Sequence, residues 1–214
     1  MKTYNIKKSC LKIIVIIVMM SSFSFSKEEE CVGGWLLNPG SFLYPTYIKS
    51  KIVNMDQFLG KWKGFGCKIN IKSLKEGDRY LIEITEKDNG KEYDSSKFLG
   101  IFFKVKNNLF LDLTALPVED PALFLTNIPG HLIVKIDLIN QNKTQFVLMN
   151  YLEILSIRKK YPKLLQCHYF EDQSRMVILS TSKQIVQALQ NKHFVEDFFS
   201  VKEKVILKKN KRKK

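Results

Sequence analysis

The residues of this chain best suited to nucleophilic or acid–base chemistry are the adjacent pair Cys167-His168, a second histidine at His131, and Asp112. A cysteine nucleophile needs a base within hydrogen-bond reach. Neighbouring residues on a strand point to opposite faces, so Cys167 and His168 cannot form that pair if Leu165, Cys167 and Tyr169 alternate along a strand. Asp112 lies between Leu111 and Leu113 on the face shared by Phe110, a candidate semi-buried carboxylate. Paired acid–base catalysis would need a second carboxylate, for which only Asp137 and Glu83 offer themselves. The expectation for Asp112 is therefore a hydrogen-bonded structural role. No paired Cys or His spacing suggests a metal. Gly-x-Ser-x-Gly, His-Glu-x-x-His, phosphate-loop and dinucleotide patterns are all missing. The chain reads as non-catalytic, without cofactor or metal.

How the cysteines are read depends on the compartment. Residues 1–26 run from Lys2, Lys7, Lys8 and Lys12 through the apolar stretch Ile13 to Met20 and on to Ser24-Phe25-Ser26, the layout of a secretory signal peptide. A membrane span needs about 20 apolar residues, more than Ile13 to Phe25 supplies. An uncleaved anchor is the competing reading, and lipid attachment at Cys31 a third, opposed by Glu28, Glu29 and Glu30. Cleavage would leave no transmembrane span and place the protein in the periplasm, cell envelope or extracellular space. There Cys31, Cys67 and Cys167 could form one disulfide with one thiol left over. Three pairings are open, with Cys31–Cys67 slightly preferred because a segment lacking its own periodicity gains most from a tether.

The formal charge of +14 invites a nucleic-acid reading until its location is checked. The signal carries four lysines and no acids, and Lys202 to Lys214 holds eight basic residues against Glu203 alone, so the body between is close to neutral. The basicity is an appendage: Lys208, Lys209, Lys211, Arg212, Lys213 and Lys214. Such a run can hold anionic lipid headgroups or polysaccharide by charge, and export argues against nucleic acid.

The elements that must position these residues are mostly strands. Residues 27–54 carry glycines, prolines and the aromatics Trp35, Phe42, Tyr44 and Tyr47 without a period, an extended leader lying on a domain at 55–208, followed by a disordered basic tail at 209–214. From Phe58 the dominant period is two. Cys67, Ile69 and Ile71 pair with Tyr80, Ile82 and Ile84 as one hairpin. A second joins Phe98–Val105 to Leu109–Leu113 through Asn107-Asn108, and a third joins Leu132–Ile139 to Thr144–Met149. Tyr151 to Lys160 fits a short helix, Thr181-Ser182-Lys183-Gln184 matches a capping box for a real one, and Val205–Leu207 is a short last strand. The sum is a mainly β chain of about nine antiparallel strands with one C-terminal helix outside.

Gly60-Lys61-Trp62 opens the first strand, successive hairpins follow, and Arg175 stands on a late strand before a helix and a closing strand. That order resembles the lipocalin-like barrels, in which a Gly-x-Trp near the first strand packs against a late arginine below the barrel floor. The resemblance implies a barrel with Gly60, Trp62 and Arg175 as structural residues. Phe110-Leu111-Asp112-Leu113, Gly130-His131-Leu132 and Leu179-Ser180-Thr181-Ser182 are similar to a group of exported bacterial proteins and lipoproteins of uncharacterised role. The functional expectation is an exported non-catalytic barrel that binds a small apolar ligand or an envelope component, with Trp62, Phe103, Phe146 and the loop residue Phe124 as contacts. The alternative is a scaffold that docks on anionic lipid or polysaccharide through its basic tail.

Overall fold

The computed structural model describes residues 41–64, 67–74, 78–88, 91–116, 130–149, 153–170, 175–199 and 204–210. The signal segment, Cys31, Phe124 and residues 211–214 lie outside them. After a two-residue strand β1 (Ser41–Phe42) come β2 (Gly60–Gly64), β3 (Cys67–Ser73), β4 (Tyr80–Asp88), β5 (Lys91–Val105), β6 (Asn108–Ala115), β7 (His131–Asn140) and β8 (Lys143–Leu148), of which β2 to β8 are successive antiparallel neighbours. A last strand, β11 (Lys204–Lys209), pairs with both β8 and β2 and closes an eight-stranded barrel.

Alternation decides which side chains meet inside. The register Trp62↔Ile69, Ile69↔Ile84, Ile82↔Phe98, Phe102↔Leu111, Leu111↔Val134, Ile136↔Phe146 and Phe146↔Val205 carries one apolar face around the ring. The interior is packed at mid-height: a Cβ added to Gly100 would lie 2.5 Å from Ile82 Cδ1 and 3.2 Å from Leu111 Cδ1. Interiors at this density resist even one added methyl group.

The wall formed by β5, β6 and β7 is covered on its outer side too. Strands β9 (Cys167–Phe170) and β10 (Arg175–Ile178) pair with each other, β10 pairs in parallel with β1, and Phe42 of β1 pairs with His131. Helices α1 (Ile154–Lys160), α2 (Ser182–Leu189) and α3 (Lys192–Phe198) complete the cover. Phe198 meets Phe42 at 6.2 Å and Phe199 meets Phe110 at 5.6 Å between ring centres. The capping box forms, with the Thr181 hydroxyl accepting from the Gln184 amide and the Gln184 side chain accepting from the Thr181 amide.

Three expectations change. The expected helical turn around Phe194 is longer, a regular helix α3 capped by Asn191, which adds to the helix expected outside the barrel. Strand β5 starts at Lys91 rather than Phe98, because a polar arm, Lys91–Lys97, pairs with β4 without an apolar pattern to announce it. No disulfide forms among the described residues: Cys67 starts β3 in the barrel wall while Cys167 starts β9 in the flanking sheet, so the Cys67–Cys167 staple is not made.

The ring closes over a short seam. Strand β11 meets β2 in only the pairs Lys208↔Lys63 and Lys209↔Trp62, with the Asn210 amide donating to Lys61 O at 2.8 Å. A Cβ on Gly64 would sit 2.2 Å from Ile206 O, so glycine is what lets β2 approach β11. Gly64→Ala is expected to cost about 1–3 kcal/mol through overpacking against backbone, read as a lower midpoint in chemical denaturation. An unchanged midpoint would show that the seam has slack.

Candidate functional site

The barrel floor is built from the Gly-x-Trp. Gly60 takes φ 108°, a conformation suited to glycine, and so turns the chain from the segment 54–58 into β2. That turn delivers Trp62 inward, where its Nε1 donates to Phe58 O at 2.7 Å. Phe58 stacks on Phe102 at 5.1 Å, and Tyr80 meets Phe102 edge-on at 5.0 Å. The cation over Trp62 is Lys209, 5.4 Å from the ring, with its Nζ donating to Gln57 O at 2.8 Å. Arg175, expected in this role, stands in β10 opposite Phe170, in the flanking sheet rather than beside β2. The Tyr80 hydroxyl accepts from the Met55 amide at 2.8 Å and so pins the floor segment.

Burial pushes the Tyr80 phenol above its ordinary value of 10.0, with the Met55 hydrogen bond opposing and the Asp56 charge adding. Folding therefore holds this proton more tightly than the unfolded chain does. The stabilisation is complete below pH 10 and is lost as pH rises through the raised value. Tyr80→Phe is expected to cost about 1–2 kcal/mol by leaving the Met55 amide without its acceptor, and to flatten the alkaline limb of a stability–pH curve above pH 10. An alkaline limb identical to the parent's would remove Tyr80 from that account.

Asp112 is the most buried carboxylate described, 1% exposed, although its side chain points out of the barrel. The covering segment explains this. Asp112 Oδ2 accepts from the Thr46 amide at 2.8 Å and the Thr46 hydroxyl at 2.6 Å, while Oδ1 faces His131 Nδ1 at 2.8 Å. Thr114 Oγ1 lies 3.1 Å from the same ring nitrogen. Tyr47 follows, its phenol raised first by burial and then by the Asp112 charge. The register Thr114↔His131 beside Asp112↔Ile133 brings these groups together on one outer face.

This arrangement has the orienting half of a triad, a carboxylate on Nδ1. Among the described residues no serine, threonine or cysteine bonds the second ring nitrogen of His131. Its chemistry is that of a clamp holding segment 42–47 to the wall. The carboxylates Glu83 and Asp137 have partners of their own: Asn70 and Lys72 for Glu83, Lys135 and Gln145 for Asp137. Burial pushes the Cys167 thiol up, which disfavours the thiolate, while His168 beside it is exposed. Asp112→Ala is expected to cost about 2–3 kcal/mol, the scale of charge-assisted bonds lost together with their orphaned donors, and to speed proteolysis near Thr46. Parent-like stability and cleavage would show the clamp to be dispensable.

The expected ligand contacts separate. Trp62 and Phe146 face the interior, whereas Phe103 sits on the outer face between Tyr47 and Phe110, at 6.2 and 5.4 Å. Phe103 cannot touch a ligand in the barrel. Phe124 lies outside the described residues.

The basic residues gather around β11. Lys208 stands directly opposite Lys63 on one side and Lys143 on the other, and Lys63 opposite Lys68, giving four lysines in one cross-strand file. Like charges in that relation destabilise a sheet. Lys63, Lys143 and Lys208 form no ion pair among the described residues. Two shallow depressions share Lys143, Lys208 and Lys209 as lining. Sequence reading found Lys208 and Lys209 but missed Lys63 and Lys143, because only the closing register brings them alongside.

The fold and this surface define the class: a closed eight-stranded antiparallel barrel, consistent with a lipocalin-like barrel, with helices packed outside and a basic outer file. No family model, curated protein or solved structure matches the chain. No helix among the described residues is long and apolar enough to cross a membrane.

Proposed function

We propose that this protein is an exported, non-catalytic scaffold that docks on an anionic envelope surface, using the barrel as a rigid mount for its basic residues. The lysine file carries the reading. Lys63, Lys208 and Lys143 oppose one another at a cost to the sheet, and an anionic partner relieves that cost. Lys211, Arg212, Lys213 and Lys214 follow Asn210 in the sequence and add four more basic residues. The apolar-ligand alternative would draw on Trp62 and Phe146, but their surroundings are occupied by Phe58, Phe102, Ile136 and Val205.

Charge number alone would make any basic protein stick, so the test must be positional. Truncation after Asn210 combined with Lys63→Gln, Lys143→Gln and Lys208→Gln is expected to weaken binding to anionic vesicles or to an acidic polysaccharide matrix by at least about tenfold, given about 1 kcal/mol per lysine at such a surface. Lys159→Gln, Lys163→Gln and Lys192→Gln, made on the same truncated chain, remove equal charge from exposed positions on the helices and the turn after the first of them, and are expected to leave more of the binding intact. Equal losses from both sets, or no binding of the parent to either surface at low salt, would sink the proposal.

A further inference from the structure

We infer that the surface met by this protein is an anionic lipid bilayer, and that the tip of the β7–β8 hairpin enters it through Leu138 and Ile139. The inference rests on the docking reading above and names its partner. Most large apolar side chains of the barrel are buried, yet Leu138 is 53% and Ile139 46% exposed, two consecutive aliphatics at the end of a strand. The register breaks between Leu138 and Asn140, so Ile139 belongs to a bulge and is released from the ladder that would have folded it against a neighbour. Bulges commonly re-aim a side chain at a functional edge.

The position of this tip supplies the second half of the case. Asn140 pairs with Lys143, Lys143 pairs with Lys208, and the Lys209 amide donates to Asn142 O at 2.8 Å. Lys143 and Lys208 thus stand beside the aliphatic tip, with Lys209 next to them. Aliphatic side chains beside lysines are what a headgroup–acyl boundary accommodates: the aliphatics pass below the phosphates while the ammonium groups stay among them. A polysaccharide would use the lysines but has no apolar layer for Leu138 and Ile139. Asn140, Gln141 and Asn142, polar and uncharged, make the turn itself cheap to bring to that boundary.

The experiment uses the full mature chain and two vesicle preparations, one phosphatidylcholine alone and one containing phosphatidylglycerol, with an acidic polysaccharide matrix alongside. Leu138→Asn with Ile139→Asn keeps every charge and alters only exposed positions, so the thermal midpoint is expected to hold. Binding to phosphatidylglycerol vesicles is expected to fall roughly tenfold or more, from the apolar area no longer buried, with polysaccharide retention unchanged. An Ile139→Trp variant is expected to shift its emission to the blue and to be quenched by brominated lipid. Vesicle binding with a water-exposed Trp at 139 and no loss in the Asn variant would overturn the lipid inference and leave docking by charge standing. So would retention on the polysaccharide without vesicle binding. Failure to bind either surface would overturn both readings.

Discussion

Everything in this barrel depends on the closure between β11 and β2. The seam is short, and it is held by what surrounds it: Trp62 below, Lys209 over its ring and bonded to Gln57 O, and Phe58 stacked under Phe102. Each contact alone is small, a cation over an aromatic ring being worth about 0.5–1 kcal/mol where exposed. Their effect is cooperative because they converge on one point. Lys209 reaches Trp62 only when β11 is in register, and β11 can close only because Gly64 lets the strands approach. The floor and the seam support one another.

Much of this architecture was legible from alternation. Period-two runs identified the hairpins β3–β4 and β7–β8, since a half-buried strand must alternate to bury one face, while β5–β6 was marked by the Asn107-Asn108 turn and the alternation of Leu109–Leu113. Gly60-x-Trp62 marked the floor for a physical reason, a glycine conformation followed by an inward indole. The cation partner was misplaced because sequence order does not say which late strand closes a ring. Strands β9 and β10 fall between β8 and β11 in the chain but leave the barrel for the flanking sheet, taking Arg175 with them. Phe103 was misassigned for a related reason. From Phe98 to Val105 the strand is apolar on both sides, so periodicity carries no information about which side is in.

The two-sided burial of the β5–β7 wall also explains the polar clamp. A covering layer of helices and leader needs a fixed register, and apolar contacts between Phe42, Phe110, Phe198 and Phe199 are tolerant of sliding. Asp112 is not tolerant. With four groups within reach of one buried carboxylate, it satisfies its lone pairs only when Thr46 and His131 are in one arrangement. Its place in the sequence, one polar residue in Phe110–Leu113, suggested a hydrogen-bonded role; the partners themselves lie 66 and 19 residues away and could not be read from it.

Closure then links the fold to the proposed docking. The lysines of the proposed docking face come from β2, β8 and β11, and they form a file only when the seam is shut. The same register sets the exposed hairpin tip beside Lys208 and Lys209. Within the sheet the opposed ammonium groups push the closing strand away from its neighbours, a repulsion that Trp62, Lys209 and the floor segment must outweigh. An anionic surface reverses the sign of that local term. A surface that bound the closed ring and had less to hold in an open one would add its binding energy to the stability of the closed barrel by linkage. In the proposed docking the like-charge file would therefore couple docking to closure: strain in the free protein would become attraction at the surface, carried by the strand that completes the fold.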